Sequence, residues 1–399
     1  MNSFDSSNTR DVLRRLFEAG VDAVKGEPAV ARAFAQRFTQ APDRILAVGK
    51  AAYAMYMGLP ENVRAATPAL IITKDGHADG APDLPHVEIR EASHPMPCAR
   101  SIAAGEAALA FVQDCAPESR LLMLVSGGAS ALVEALPSGM SLESLMERTK
   151  IALSNGSTIG QINAERIAHS RIKGGKLLAA FAGRRADVLA ISDVQGDGID
   201  VIGSGIGAYG GGTLRYSSHI VGSNAVARDA AAAQATILGM HVHHNAETLY
   251  GDINDVAGDI LATVDGGVTT EGIYIFGGEP TVQLPDNPGE GGRNQGLALE
   301  LARRISGRSD LSILVAGTDG SDGVSAGAGA IVDGHSFGAA DGADEAIRLA
   351  NSGAFFRTTG DQLVTGPTGT NVMDLVIVHR KTADAGWGTS GRDTHPFSP

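Results

Sequence analysis

Short apolar runs punctuate the chain, and most of them end in the same way. ILAVGK (Ile45 to Lys50), ALIITKDGH (Ala69 to His77) and LLMLVSGGAS (Leu121 to Ser130) each close on glycine with a polar or charged residue. The pattern returns in DVLAISDVQGD (Asp187 to Asp197), GIYIFGGEP (Gly272 to Pro280) and ILVAGTDGSDG (Ile313 to Gly323), often with a helical stretch behind it. Unbroken apolar runs of strand length, without alternation, predict parallel strands buried on both faces. Ahead of them, DVLRRLFEAGVDAV spaces its apolar residues as a helix does, behind polar cap candidates from Ser6 to Thr9. The predicted fold class is α/β.

A chain of 399 residues suits two or three domains. Gly203 to Gly212 is glycine-rich, and HIVGSNAVARDAAAAQATILGM then opens a new strand-helix unit. The expected division is therefore an N-terminal domain over 1–225, a second domain over 226–381, and a tail of loop composition over 382–399. In open parallel sheets ligands bind beyond the carboxyl ends of the strands. Lys50, Lys74, Ser126, Asp193, Glu279 and Asp319 stand at six such ends.

Composition narrows the function. With 43% hydrophobic and 19% charged residues the chain is neither disordered nor fibrous. Its 52 glycines lack a period, which excludes a collagen-like repeat and points to many tight turns. A net charge of −13 argues against a nucleic-acid surface but not against a local cationic site for a small anion. No apolar run approaches a membrane span, and MNSFDSSNTRD has no signal-peptide pattern, so a cytoplasmic protein is expected. Cys98 and Cys115 read as reduced thiols.

Several strand ends carry candidate chemistry. A lysine just inside a helix start, as Lys50 is, works against the helix dipole unless an anion binds there. It is not a phosphate-loop lysine, because Arg44 and Ala51 occupy positions that the motif gives to glycine and Ser/Thr. In VSGGASAL (Val125 to Leu132) the amides of Gly128, Ala129 and Ser130 would form an anion nest. Asp193 with Asp197, and Asp319 with Asp322, are paired carboxylates on post-strand loops, a set suited to a hard divalent cation. In GGRNQGLALELARR (Gly292 to Arg304), Arg293 offers a planar fork at a helix start. TGPTGTNVMDL (Thr365 to Leu375) is a polar loop whose Asn371 and Asp374 suit the orienting of a ligand. Gly205 to Gly210 matches a dinucleotide fingerprint literally, but no long helix follows it. His241, His243 and His244 read as a strand with exposed polar positions rather than a zinc site.

SGGASAL, INAERIAHSRIKGGKL (Ile162 to Leu177), SDVQGD, FGGEPTV, GGRNQ, AGTDGSDG and TGPTGTNVMDL occur in the order found in the class II glycerate kinase family, and the chain resembles that family over residues 10–380. The resemblance implies a Rossmann-like parallel-sheet N-terminal domain, a second α/β domain of the MOFRL type, and an active site in the cleft between them. It implies transfer of the ATP γ-phosphoryl group to D-glycerate, giving 2-phosphoglycerate, with Mg²⁺. Lys50 and Arg293 fall on the family's catalytic lysine and arginine, and Asp193, or one of Asp319 and Asp322, is expected to accept the hydroxyl proton or to hold Mg²⁺. Expected around substrate and phosphates are Ser126, Gly127, Gly128, Ser130, Lys173, Gly278, Glu279, Asn294 and Asn371. Asp193, Asp197, Asp319 and Asp322 are the expected metal ligands, and a homodimer is the expected assembly. Gln195, Gly198 and Ile206 depart from the family pattern, and Ile167 stands where the family carries a cation, so a related sugar acid is an alternative substrate. The rival readings are an NAD(P)H-dependent hydroxypyruvate or tartronate-type reductase and a non-catalytic ligand-binding relative.

Overall fold

The computed structural model describes residues 6–82, 84–154, 159–267 and 270–382, so the expected tail lies, apart from Thr382, outside the described residues. All six apolar runs form strands. The first sheet contains β1 (Arg44–Val48), β2 (Ala69–Lys74), β3 (Val87–Ala92), β4 (Arg120–Val125), β5 (Arg185–Ile191) and β6 (Arg215–Gly222). They are ordered β3-β2-β1-β4-β5-β6 and all parallel. This is the Rossmann strand order, and chain direction across the sheet reverses between β1 and β4, where a ligand crevice opens. Burial on both faces explains the unbroken apolar runs: Leu122 and Leu124 enter one core, Leu121, Met123 and Val125 the other.

The second sheet corrects the expectation of parallel strands. It is built from β7 (Val242–Leu249), β8 (Gly272–Gly278), β9 (Leu311–Gly317), β10 (Gly329–Asp333), β11 (Gln362–Leu363) and β12 (Asp374–Arg380), ordered β11-β10-β9-β12-β8-β7. Only β7 and β8 pair in parallel; β12 runs antiparallel between β8 and β9, with Asp374 opposite both Gly278 and Gly317. A continuous apolar run reports burial on both faces, and LVIV in β12 is buried like its neighbours whichever way it runs.

The two sheets share a core. The helix Ser6–Val24 lies against the helix Asn224–Ile237, and its Leu13, Leu16 and Phe17 join one apolar cluster with Ile45 and Leu189 of the first sheet and Ile275, Leu314 and Ile377 of the second. Thr370 Oγ1 donates to the Val24 carbonyl (2.7 Å), and Arg10 pairs with Asp361. The N-terminal helix is thus a joint between the halves. No helix among the described residues is long and apolar enough to cross a membrane.

Candidate active site

The turns after β1 and β4 are laced together. Lys50 N–H donates to the Gly127 carbonyl (2.9 Å), and Ala51 N–H donates to Ser126 Oγ (3.0 Å). Ser126 is buried by this, so its hydroxyl shapes the Lys50 turn rather than facing the cleft. Gly127 is required by contact: a Cβ there would lie 2.1 Å from Asp193 Oδ2. Gly128 is required by conformation as well, with φ +83° and a Cβ position 3.0 Å from Lys50 Cγ and 3.2 Å from His94 Cδ2. Two glycines therefore let the lysine, the carboxylate and the imidazole converge.

The carboxylate and the imidazole line a cleft of about 840 Å³, with Lys50 against them. His94, Gly128, Ser130 and Asp193 line it from the first half, Tyr250, Glu279 and Met373 from the second. Burial pushes the Asp193 carboxyl up to about 6; the Lys50 ammonium opposes this and Glu279 reinforces it. Burial first, then Lys50 and Lys74, push the His94 imidazole down to about 4, so it is neutral at neutral pH. The Lys50 ammonium has no ion-pair partner among the described residues. It also borders an adjoining recess of about 170 Å³ lined by Lys74, His77, Asp319 and Ser321.

Arg293 begins the helix Arg293–Arg304, as expected. Its Nε and Nη2 donate to Asp374 (2.6 and 3.2 Å), while Nη1 meets Glu279 Oε1 at 2.8 Å. Asp374, fully buried at the start of β12, also accepts from Asn294 Nδ2 (3.0 Å). Burial raises the pKa values of both Asp374 and Glu279, and Arg293 pulls them back. The guanidinium is thus aimed by an inner carboxylate and presented beside an outer one.

Other expected residues fall into supporting positions. Asp322 accepts N–H bonds from Asn294 (3.0 Å) and Gln295 (2.8 Å), capping the Arg293 helix with both oxygens. Burial pushes its carboxyl up to about 6 against those amides. Asp319, three residues earlier, faces the recess, so this pair diverges. Asp197 occupies a left-handed turn position (φ +54°) beyond Asp193. Among the described residues no three His, Cys, Asp or Glu side chains gather as a metal site. Lys173 is sealed in the interior, paired with Glu134 and donating to the Ser130 carbonyl (2.8 Å). Ser130 shares a hydrogen bond with Ser204 (2.8 Å), Gly278 ends β8 at φ +137°, and Asn371 Oδ1 accepts from Met373 N–H (3.2 Å).

The literal dinucleotide fingerprint is a packing device. Gly174 and Gly175 donate to the carbonyls of Ser204 and Gly205 (both 2.9 Å), docking the KGGK turn onto that stretch, which leads to β6 without an intervening helix. His243 and His244 lie on the edge strand β7, as the pattern of polar positions suggested.

Sequence reasoning passed over His94, Arg166, Tyr250 and Met373, all of which line the cleft. Met373 holds φ +68°, unusual for a side-chain-bearing residue, with its carbonyl bound by Thr318 N–H and Oγ1 (3.0 and 2.6 Å). Asp374 had a signal, being the closing carboxylate of TGPTGTNVMDL; the antiparallel strand that delivers it to Arg293 had none.

Comparison with known proteins agrees with this architecture. Residues 12–238 match the domain of unknown function DUF4147, and residues 272–374 match the MOFRL family. A D-glycerate 2-kinase of Thermotoga maritima is 31% identical, over 94% of this chain and 99% of its own length. A glycerate 2-kinase of Pyrococcus horikoshii is also 31% identical, over 84% and 86%. The crystal structure of glycerate kinase from Thermotoga maritima superposes with a TM-score of 0.83 at 29% identity, covering 94% of this chain and all of that one.

Proposed function

The chain belongs to the class II glycerate kinase family, and on that premise we propose that it transfers the γ-phosphoryl group of ATP to a hydroxyl of D-glycerate, yielding 2-phosphoglycerate and ADP. The observation that carries this reading is a cleft lined by Asp193 from one half and Glu279 from the other, with Lys50 acting on the first carboxylate and Arg293 paired to the second. Phosphoryl transfer asks a protein for positioning and for neutralisation of charge, with little covalent help.

The nucleotide phosphates fit the recess, where Lys50 and Lys74 supply positive charge. The acid occupies the larger cleft, with Lys50 on the border between the two. The substrate hydroxyl oxygen attacks the γ-phosphorus, the bond to the β–γ bridging oxygen breaks, and ADP departs with that electron pair. Asp193 takes the hydroxyl proton, a role suited to a carboxyl whose pKa lies near the working pH. Lys50 and Arg293 stabilise the γ-phosphoryl oxygens as charge spreads over them.

The donor set fits Mg²⁺ held by one carboxylate together with phosphate oxygens, not an all-protein cage, since no three ligand side chains gather among the described residues. Asp319 is that carboxylate: it lines the recess, while Asp322 is committed to backbone amides. Charge on the β- and γ-phosphate oxygens would be neutralised by the cation there.

The test is ADP release with Mg-ATP against D-glycerate, L-glycerate, erythronate, threonate and tartrate, with NAD(P)H consumption on hydroxypyruvate read in parallel. ADP release with D-glycerate is expected, and phosphorus NMR of the product identifies the carbon. Loss of NAD(P)H absorbance without ADP release would replace the kinase with a reductase.

A further inference from the structure

The cleft has one more cation than phosphoryl transfer uses. The helix Ile159–Ala168 faces the cleft with Gly160, Asn163, Ala164 and Ile167, positions three or four apart on one side, and Arg166 joins them at the wall. Arg166 also borders a small annex that contains Ser130, Pro95 and Met96. The other cations near the site have roles already: Lys173 is closed on Glu134, Arg293 is held by Asp374 and Glu279, and Lys50 and Lys74 line the recess assigned to the phosphates. Arg166 has no hydrogen-bond or ion-pair partner among the described residues. Burial pulls its pKa down, offset in part by the more distant charge of Glu134. A half-buried guanidinium without an anion is an unfavourable arrangement that a carboxylate relieves with two parallel hydrogen bonds.

We propose that Arg166 binds the carboxylate of the hydroxy-acid substrate and so determines which hydroxyl reaches Asp193. This rests on the kinase reading above and adds the residue that recognises the acid. The surroundings hold Arg166 in register with the reaction centre. Ser204 Oγ donates to Asn163 Oδ1 (3.2 Å) and shares a hydrogen bond with Ser130 (2.8 Å), tying this helix to the Gly127–Gly128 turn. On the next turn, the Ile167 side chain packs on Gly174, where an added Cβ would lie 2.6 Å from Ile167 Cγ2. Arg166 thus lines the cleft beside apolar Ala131, Ala164 and Ile167 and polar Ser130 and Asn163.

The experiment compares wild type, R166K and R166Q with D-glycerate and with its neutral amide, glyceramide, measuring the KM for ATP separately. R166Q is expected to raise the KM for D-glycerate about 100-fold, the worth of a charge-assisted contact, with a smaller change in kcat. Its KM for ATP should match wild type, its loss with glyceramide should be much smaller than with D-glycerate, and R166K should recover part of the loss with the acid. A KM for D-glycerate within about threefold of wild type in R166Q overturns the proposal, as does an equal loss with acid and amide. If the wild type turns over neither compound, the kinase reading fails by itself. Calorimetric binding of D-glycerate to wild type and R166Q then still decides Arg166: binding lost in the variant supports it, and equal or absent binding in both overturns it.

Discussion

Lys173 and Arg293 are both cations paired with buried carboxylates near the cleft, yet they are built for different work. The Lys173–Glu134 pair is sealed, with side-chain exposures of 2% and 0%. Glu134 also accepts from Ser170 Oγ and from the Ala135 amide (3.0 Å), and Lys173 donates to the Ser130 carbonyl. The unit is electrostatically complete and no solute reaches it, so it is a strut that fixes the KGGK turn under the cleft. Arg293 has its inner edge held by buried Asp374, while its outer edge meets Glu279, which is 47% exposed. An incoming phosphoryl group can compete for that outer edge. The role of a cation near a site is set less by its charge than by whether an anion from solvent can displace its partner.

The sharpest way to break this comparison is at Lys50, a cation with no ion-pair partner among the described residues. Lys50→Ala should cut kcat on the order of 10³-fold or more, in the range of an arginine finger, with the melting temperature unchanged. Near-normal turnover of the folded variant would remove Lys50 from the chemistry. A comparable loss, about 10²- to 10⁴-fold, is expected for Asp193→Asn. In the wild type kcat/KM should fall as pH drops through about 6, because proton acceptance requires the ionised carboxylate and burial has raised its pKa to that region. A flat profile across that range would assign the proton elsewhere.

Lys173→Met should show the opposite signature. Leaving Glu134 buried without its cation should destabilise the fold by about 3–5 kcal/mol, read by denaturant titration. Turnover per folded molecule should stay near wild type; if turnover collapses while stability holds, Lys173 is part of the reaction. The smallest effect is expected at Asp322. Asp322→Ala removes the cap of the Arg293 helix at a cost of about 1 kcal/mol, and the Mg²⁺ dependence of the rate should not move. A large shift in that dependence would make Asp322 a metal ligand after all.

Much of the site was legible because strand ends are legible. A run such as Leu121 to Val125 can only stop where the sheet meets solvent, so Lys50, Ser126, Asp193 and Glu279 had to lie along crevice edges. Roles within that set were not legible. Ser126 and Lys50 follow equivalent strands, but one hydroxyl is consumed by the Ala51 amide while the other side chain stays free. Asp319 and Asp322 look like one metal pair in sequence, yet the loop turns them to a recess and to a helix start. Arg166 was hidden because a helix with one cation among apolar and polar neighbours reads as an ordinary surface helix.

The sequence by itself determined that the protein is α/β, where most strands begin and end, and which polar groups stand at their tips, because these follow from local burial and chain geometry. Only the tertiary structure decided that β12 runs antiparallel through the second sheet, that Arg293 is aimed by a carboxylate 81 residues away, and that Lys173 closes on one 39 residues away. Strand direction and the partners of a buried charge depend on which distant segments meet. A local apolar pattern is the same for either direction, and a carboxylate has the same identity whether it faces a guanidinium, a helix amide or open water.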